Sequence, residues 1–345
     1  MKFRAIATSL LFIMTASLLG QHRNYFFQPQ AVWQDDEGNA INAHGGGIMK
    51  YGKKYYWYGE YKVGATTLPS WATWECYRTD AGGVSCYSSC DLLNWHFEGV
   101  VLKPESDPSS DLHPSKVIER PKVVYNVRTG KFVMWFHCES ADYSKAAAGV
   151  AISDSPTGPF KYLGSFRPND SMSRDQTLFV DDDGTCYQIC SSENNQTLHI
   201  NRLTDDYLKP DGTFVRRFVG MSREAPALFK YNGKYYMLSS GCTGWDPNQA
   251  ELAVADDIMG EWTVLGNPCT GNDADKTFYG QSTYVIPVDA EKGRFIACFD
   301  MWKKKDLADS RYIWLPVKIN KHTESIRIPW MATWKKSELR KWKIK

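Results

Sequence analysis

The apolar residues of this chain come in short runs divided by turn-forming residues, and one arrangement of them recurs five times. It is seen in "HGGGIMKYGKKYYWYGE" from His44, "ERPKVVYNVRTGKFVMWFH" from Glu119 and "DQTLFVDDDGTCYQIC" from Asp175. It returns in "EAPALFKYNGKYYMLSS" from Glu224 and "QSTYVIPVDAEKGRFIACFD" from Gln281. Each copy opens on a polar residue, runs apolar, turns at Gly, Asn or Asp, and comes back in a second aromatic and aliphatic run. That layout predicts a β-hairpin, with turns such as "YNGK" and "DDDG" supplying residues that tolerate positive φ. Further along, "GVSCYSSCDLLNWHFEGVVL", "GVAISDSPTGPFKYLGSF" and "ELAVADDIMGEWTVLG" each read strand, acidic turn, aromatic, strand. The predicted unit is therefore four-stranded.

No segment sustains the 3.6-residue apolar period of an amphipathic helix. The hairpins begin 75, 56, 49 and 57 residues apart, and a loop expected between Tyr61 and Gly83 absorbs the long first interval. Four-stranded repeats of this size are the mark of propeller blades. The expected fold is all-β, a five-bladed β-propeller. A β-sandwich would also give many short strands, but not five recurring polar openings. Either "AVWQDDEGNAIN" before the first hairpin or the tail "IRIPWMATWKKSELRKW" should complete the last blade, since an unpaired edge is a liability.

In a propeller the innermost strand of each blade lines the central channel. His44, Glu119, Asp175, Glu224 and Gln281 hold equivalent repeat positions, so the fold would gather them at one end of that channel. Two of the openings, "SRD" and "SREAP", place an Arg directly before the acid. Opposite charges are costly to desolvate as packing, but they suit the wall of a polar funnel. Arg120, Arg174 and Arg223 are expected to form ion pairs behind the site. Three carboxylates in one concavity perturb one another, so that one can stay protonated while another is ionised. Glycoside hydrolysis needs that division of labour. The 13 Trp and 19 Tyr suit a carbohydrate ligand, because exposed rings offer apolar faces to sugars. Trp71, Trp74 and Trp245 are the candidates for such a platform, whereas Tyr55, Tyr56, Tyr235 and Tyr236 read as strand packing.

Composition adds exclusions. With 345 residues and 43% hydrophobic content the chain can bury a large core. Its formal charge is +2, and 0 once Met1–Gly20 with Lys2 and Arg4 is set aside. A mixed, neutral surface argues against a nucleic-acid partner, and no later segment is apolar for long enough to predict a membrane span. "MKFRAIATSLLFIMTASLLGQ" has a basic start and a short apolar run, the layout of a secretory signal. The expected organisation is thus a signal peptide over 1–20 and a propeller over 21–345, in a secreted or periplasmic monomer. Nine cysteines leave at least one unpaired within the chain. Cys186 and Cys190 read as small buried hydrophobes, and two of Cys76, Cys86 and Cys90 could form one disulfide.

Taken in order, "AHGGGI", "YYWYGE", "ERPKVVYN", "SRD", "SREAPALFK" and "YGQSTYV" resemble glycoside hydrolase family 43, in particular its exo-β-1,3-galactanase branch, from about Trp33 to Trp330. The resemblance implies an inverting hydrolase that releases galactose from the non-reducing end of β-1,3-galactan, the arabinogalactan backbone. It implies Glu224 as catalytic acid, Asp175 as the carboxylate that tunes and orients it, and Glu119 as an acid facing the substrate. Gln281 is implied to position the attacking water. Glu60, Thr243, Asn194 and Asn195 resemble sugar-contacting positions, and His44, a further binding candidate, stands where most family members carry an aspartate base. The base is therefore unassigned between Glu119 and Gln281. No metal motif is present and no cofactor is required, although a channel ion such as calcium is compatible with a ring of acids. An α-L-arabinofuranosidase or β-xylosidase of the same family, and a non-catalytic sugar-binding propeller, are the alternatives.

Overall fold

The computed structural model describes residues 23–320 and 322–340. The expected signal segment, 1–20, lies outside the described residues. Twenty of the strands form five sheets of antiparallel neighbours, one sheet per hairpin unit. Blade I comprises His44–Tyr51, Lys54–Thr67, Arg78–Ser89 and His96–Leu102 in that order. Blade II begins with Val117–Asn126 and Lys131–Glu139, blade III with Gln176–Val180 and Cys186–Ser192, and blade IV with Arg223–Tyr231 and Lys234–Gly241. Blade V runs outward from Gln281–Asp289 through Arg294–Met301 and Arg311–Ile319. The first strands of neighbouring blades touch all the way round, blade V against blade I included. The ring is closed, and the five-bladed propeller stands as expected.

The tail completes the last blade. Ile326–Pro329 pairs antiparallel with Arg311–Ile319, and Cys269–Thr270 adds a parallel edge beyond it. The segment before blade I instead seals the joint between blades I and V. There Phe27 stacks on Trp334 at 4.1 Å, and Trp33 and Trp57 meet Trp314 at 5.0 and 4.9 Å. Such aromatic pairs add about 0.5–1.5 kcal/mol each beyond the area they bury. Five of the 13 tryptophans are therefore core and not sugar platform: Trp57, Trp95, Trp135, Trp314 and Trp334 are all buried.

Two expectations need correction. The loop expected from Tyr61 to Gly83 is mostly strand, because the blade I hairpin continues to Thr67 and resumes at Arg78, leaving only 68–77 as loop. All nine cysteines are free. Cys86 lies in the third strand of blade I with its thiol in the core, whereas Cys90 is exposed past the end of that strand. Cys186 and Cys190 are buried, as expected of small hydrophobes. Among the described residues no helix is long and apolar enough to cross a membrane.

Candidate active site

The backbone begins to build the site one residue past three of the five polar openings. Gly45, Arg120 and Ala225 have φ of 57°, 52° and 53°, and the register of blades I, II and IV slips at these points. A bulge turns a side chain out of the ladder's alternation, which sends Glu119 and Glu224 into the end of the channel. The left-handed conformation costs a non-glycine residue about 1–3 kcal/mol, so Arg120 and Ala225 hold strain at this site. The cavity they face has a volume of 300 Å³, and Glu60, Glu119, Asp175, Glu224, Gln281 and Trp302 all line it.

Arg120 is its hub. Buried to 4% exposure, its guanidinium lies 3.0 Å from Asp175 Oδ2 and donates to Gln281 Oε1 at 2.5 Å and to the Ser282 carbonyl at 2.8 Å. Its backbone N–H donates to Glu60 Oε1 at 3.0 Å, and the other oxygen of Glu60 meets Lys62 Nζ at 2.7 Å. One residue, through its guanidinium and its backbone N–H, thus ties together blades I, II, III and V.

Gln281 has no freedom left. Its Oε1 accepts from Arg120 and from Trp302 Nε1 at 2.8 Å, while its Nε2 donates to Glu224 Oε1 at 2.8 Å and to Ser240 Oγ at 3.0 Å. Guanidinium and indole can only donate, so the amide oxygen must face them and the NH2 group must face Glu224. The second oxygen of Glu224 accepts from Cys242 Sγ at 3.1 Å. Burial and the nearby Asp175 charge push the Glu224 carboxyl up to about 8, against the opposing pull of Cys242, Arg120 and Gln281.

Glu119 is driven the opposite way. Burial alone would raise it, but the His137 hydrogen bond and charge, Lys62 and the Tyr143 hydroxyl bring it down to about 2. His137 Nδ1 lies 3.1 Å from Glu119 Oε2, Tyr143 donates to Oε1 at 2.7 Å, and His137 Nε2 lies 3.3 Å from Glu139. Burial would lower His137, yet its two carboxylate partners hold it up at about 9. One carboxyl protonated near neutrality and another firmly ionised, in one cavity, is the pairing that acid-assisted hydrolysis requires.

Residues 41–309 match the family model described as Glycosyl hydrolases family 43. The chain belongs to that family. Among solved structures it resembles a family 43 β-1,3-galactosidase with galactodeoxynojirimycin, at 44% identity and a TM-score of 0.84, over 90% of this chain and 100% of that one. It also resembles an exo-β-1,3-galactanase from Clostridium thermocellum, at 38% identity and 0.80, over 90% of this chain and 66% of the other. An exo-β-1,3-galactanase from Phanerochaete chrysosporium, solved with β-1,3-galactotriose, follows at 33% and 0.79, over 90% and 68%. A "Xylosidase/arabinosidase" from Butyrivibrio fibrisolvens is 24% identical over 268 residues, 62% of this chain; the chain spans 49% of that curated relative's length.

The structure gathers most of the family 43 positions. Glu60, Glu119, Asp175, Asn195, Glu224, Trp245 and Gln281 line the cavity. Asn195 Oδ1 and Trp245 Nε1 are buried without a hydrogen-bond partner in the protein. Asn194 is exposed and does not line the cavity. Thr243 is also off the lining, its hydroxyl donating to the Asp246 carbonyl at 2.6 Å and accepting from Asn248 at 2.7 Å within its own turn.

His44 does not line the cavity either. It is fully buried behind the cavity, stacked on Tyr312 at 5.2 Å with Nδ1 3.8 Å from Asp300. Glu60 takes its place, because the left-handed turn at Gly45 leaves the space that Glu60 Oε1 fills; a Cβ at position 45 would sit 2.0 Å from that oxygen. Trp74 lines the cavity, packed edge-on to Tyr143 at 5.3 Å, whereas Trp71 is exposed away from it. Arg223 pairs behind the site with Ser239 and Glu251 as expected. Arg120 and Arg174 do not stay behind it, since both line the cavity.

His137, Tyr143, Cys242 and Trp302 also line the cavity, beyond the residues that the sequence suggests. For His137 a signal existed: in four of the five hairpins the second strand carries a polar residue paired with the polar opening of the first. The register pairs His44 with Glu60, Glu119 with His137, Glu224 with Ser240, and Gln281 with Asp300. Glu119, His137 and Asp175 bring potential ligand atoms within 4.8 Å of one another. Within the channel, Lys122 Nζ donates to the Gly45 carbonyl at 2.8 Å, where burial and the adjacent Arg120 push the amine down to about 7.

Proposed function

We propose that this family 43 hydrolase removes galactose from the non-reducing end of β-1,3-galactan with inversion. The observation that carries the reading is the opposed state of Glu224 and Glu119 across one cavity, in a chain 44% identical to a β-1,3-galactosidase. In this mechanism Glu224 protonates the departing glycosidic oxygen as the anomeric bond breaks. Asp175, anchored by Arg120, raises Glu224 by its charge. Water attacks the opposite face of the anomeric carbon and gives its proton to Glu119. Each oxygen of Glu119 spends one lone pair on His137 or Tyr143 and keeps another for that water. Gln281, with every amide bond engaged, has none to offer, so it orients the acid instead of the nucleophile.

Exo action follows from the wall of the cavity. Lys304 lies 2.6 Å from Glu75 and 3.0 Å from Asp246, linking loops of blades I, IV and V next in sequence to the lining residues Trp74 and Trp245. The segment Met1–Gly20, read as a secretory signal, would deliver the enzyme to extracellular polysaccharide. Proton NMR of β-1,3-galactan digestion tests the whole reading: α-galactose is expected to be the first anomer seen. Appearance of the β-anomer first, or of oligosaccharides in place of galactose, would refute inversion or exo action respectively.

The pH dependence has a definite sign. Glu224 must be protonated, so kcat/KM should hold through neutrality and fall as pH rises through about 8. Glu119 must be ionised, and with its pKa near 2 it imposes no acid limb in the mildly acidic range. A pH–rate profile of galactobiose hydrolysis measures this. An alkaline limb near 5 would contradict the assignment of Glu224.

A further inference from the structure

We propose that Cys242 is a positioning residue for the catalytic acid: its thiol holds the proton on Glu224 Oε2 and passes that oxygen to the leaving group. The inference rests on the galactanase reading and adds the oxygen from which the proton departs. It begins with Gln281. Arg120 and Trp302 can only donate, so they fix the amide oxygen, and Nε2–H is thereby aimed at Glu224 Oε1. An oxygen that always receives an N–H cannot also present a proton toward that N–H, so Oε1 is the acceptor end of the carboxyl.

The proton then belongs on Oε2, whose partner is Cys242 Sγ at 3.1 Å. A thiol both donates and accepts weakly. It can receive the Oε2 proton when Glu224 is neutral and donate its own when Glu224 is ionised. Cys242 lines the cavity and is exposed, whereas Oε1 is backed by Gln281, whose amide also donates to Ser240. A glycosidic oxygen arriving from the mouth displaces the thiol from Oε2. The Oε2–H bond breaks as the leaving oxygen gains that proton, and Cys242 then donates to the new carboxylate. The thiol stays a thiol throughout, since burial and the Glu224 charge hold its pKa well above the ordinary value. The other charges facing Glu224 are Asp175 from blade III, Arg120 from blade II, and Arg223 beside it on its own strand.

Cys242→Ala and Cys242→Ser separate this role from simple packing. Alanine removes the donor to the ionised acid, so the alkaline limb of kcat/KM should move up by about 0.5–1 pH unit, with kcat lowered about three- to tenfold. Serine, which both donates and accepts, should restore the limb and most of kcat. Unchanged limb and kcat in the alanine variant, or equal losses in both variants with no shift of the limb, would overturn the proposal. The outcome is separable from the galactanase reading: full activity in Glu224→Gln would remove the acid assignment itself. An inactive Glu224→Gln beside an unaltered Cys242→Ala would remove only the role of the thiol.

Discussion

Replacing Glu224 with Gln is expected to lower kcat for β-1,3-galactobiose by about 10²–10⁴-fold, the range that a positioned general acid contributes. The substitution keeps the volume, and the amide oxygen can still accept from Gln281 Nε2, so the fold and the cavity should persist. What disappears is the proton. The loss should shrink for a galactoside with a highly acidic leaving group, because a departing anion that is already stable needs no protonation. Galactose release from galactobiose and from an activated aryl galactoside, measured on the same preparation, gives both numbers. Equal losses on the two substrates would mean that Glu224 serves binding and not proton transfer. The expectation draws its force from the carboxyl's being held at about 8, where most of it is protonated at neutral pH.

The second large effect is on stability. Arg120→Met should destabilise the folded protein by about 3–5 kcal/mol, the cost of leaving a buried charge without its partner. Methionine fills much of the space but cannot bond the Ser282 carbonyl or Gln281 Oε1, and it leaves the Asp175 carboxylate unpaired. These partners come from blades III and V, so the lost bonds are those that hold separate sheets in register around the channel. Denaturant unfolding of the two proteins side by side measures the difference. A variant as stable as the parent would show that the hub carries no net stabilisation. Glu224 should titrate higher still in the variant, since Arg120 is among the groups that lower it.

How much of the site was legible depended on whether a residue's role is set by its place in the repeat. Glu119, Asp175, Glu224 and Gln281 could be found because one position in a repeated hairpin maps onto one position around an axis. Glu60 and His137 obey the same rule one strand further on, at the register partners of His44 and Glu119. Tyr143, Cys242 and Trp302 do not, since they lie beyond the paired ends of the hairpins and reach the cavity through contacts with other residues. The error at His44 is of the same kind. Its position in the repeat is right, but the left-handed turn at Gly45 turns the imidazole into the core and brings Glu60 to the cavity in its stead.

By itself, then, the order of polar and apolar residues determined the hairpins, their number and the polar opening of each, because strand alternation and turn chemistry are local properties. The protonation of those openings was a different matter. Glu119 and Glu224 begin their motifs alike, as "ERPK" and "EAPA", and end up on opposite sides of neutrality. That divergence comes from which neighbours the closed ring sets against each carboxyl, a protonated imidazole and a phenol for one, a second carboxylate and a thiol for the other. Electrostatic energy depends on distance through space, and only the tertiary structure supplies those distances.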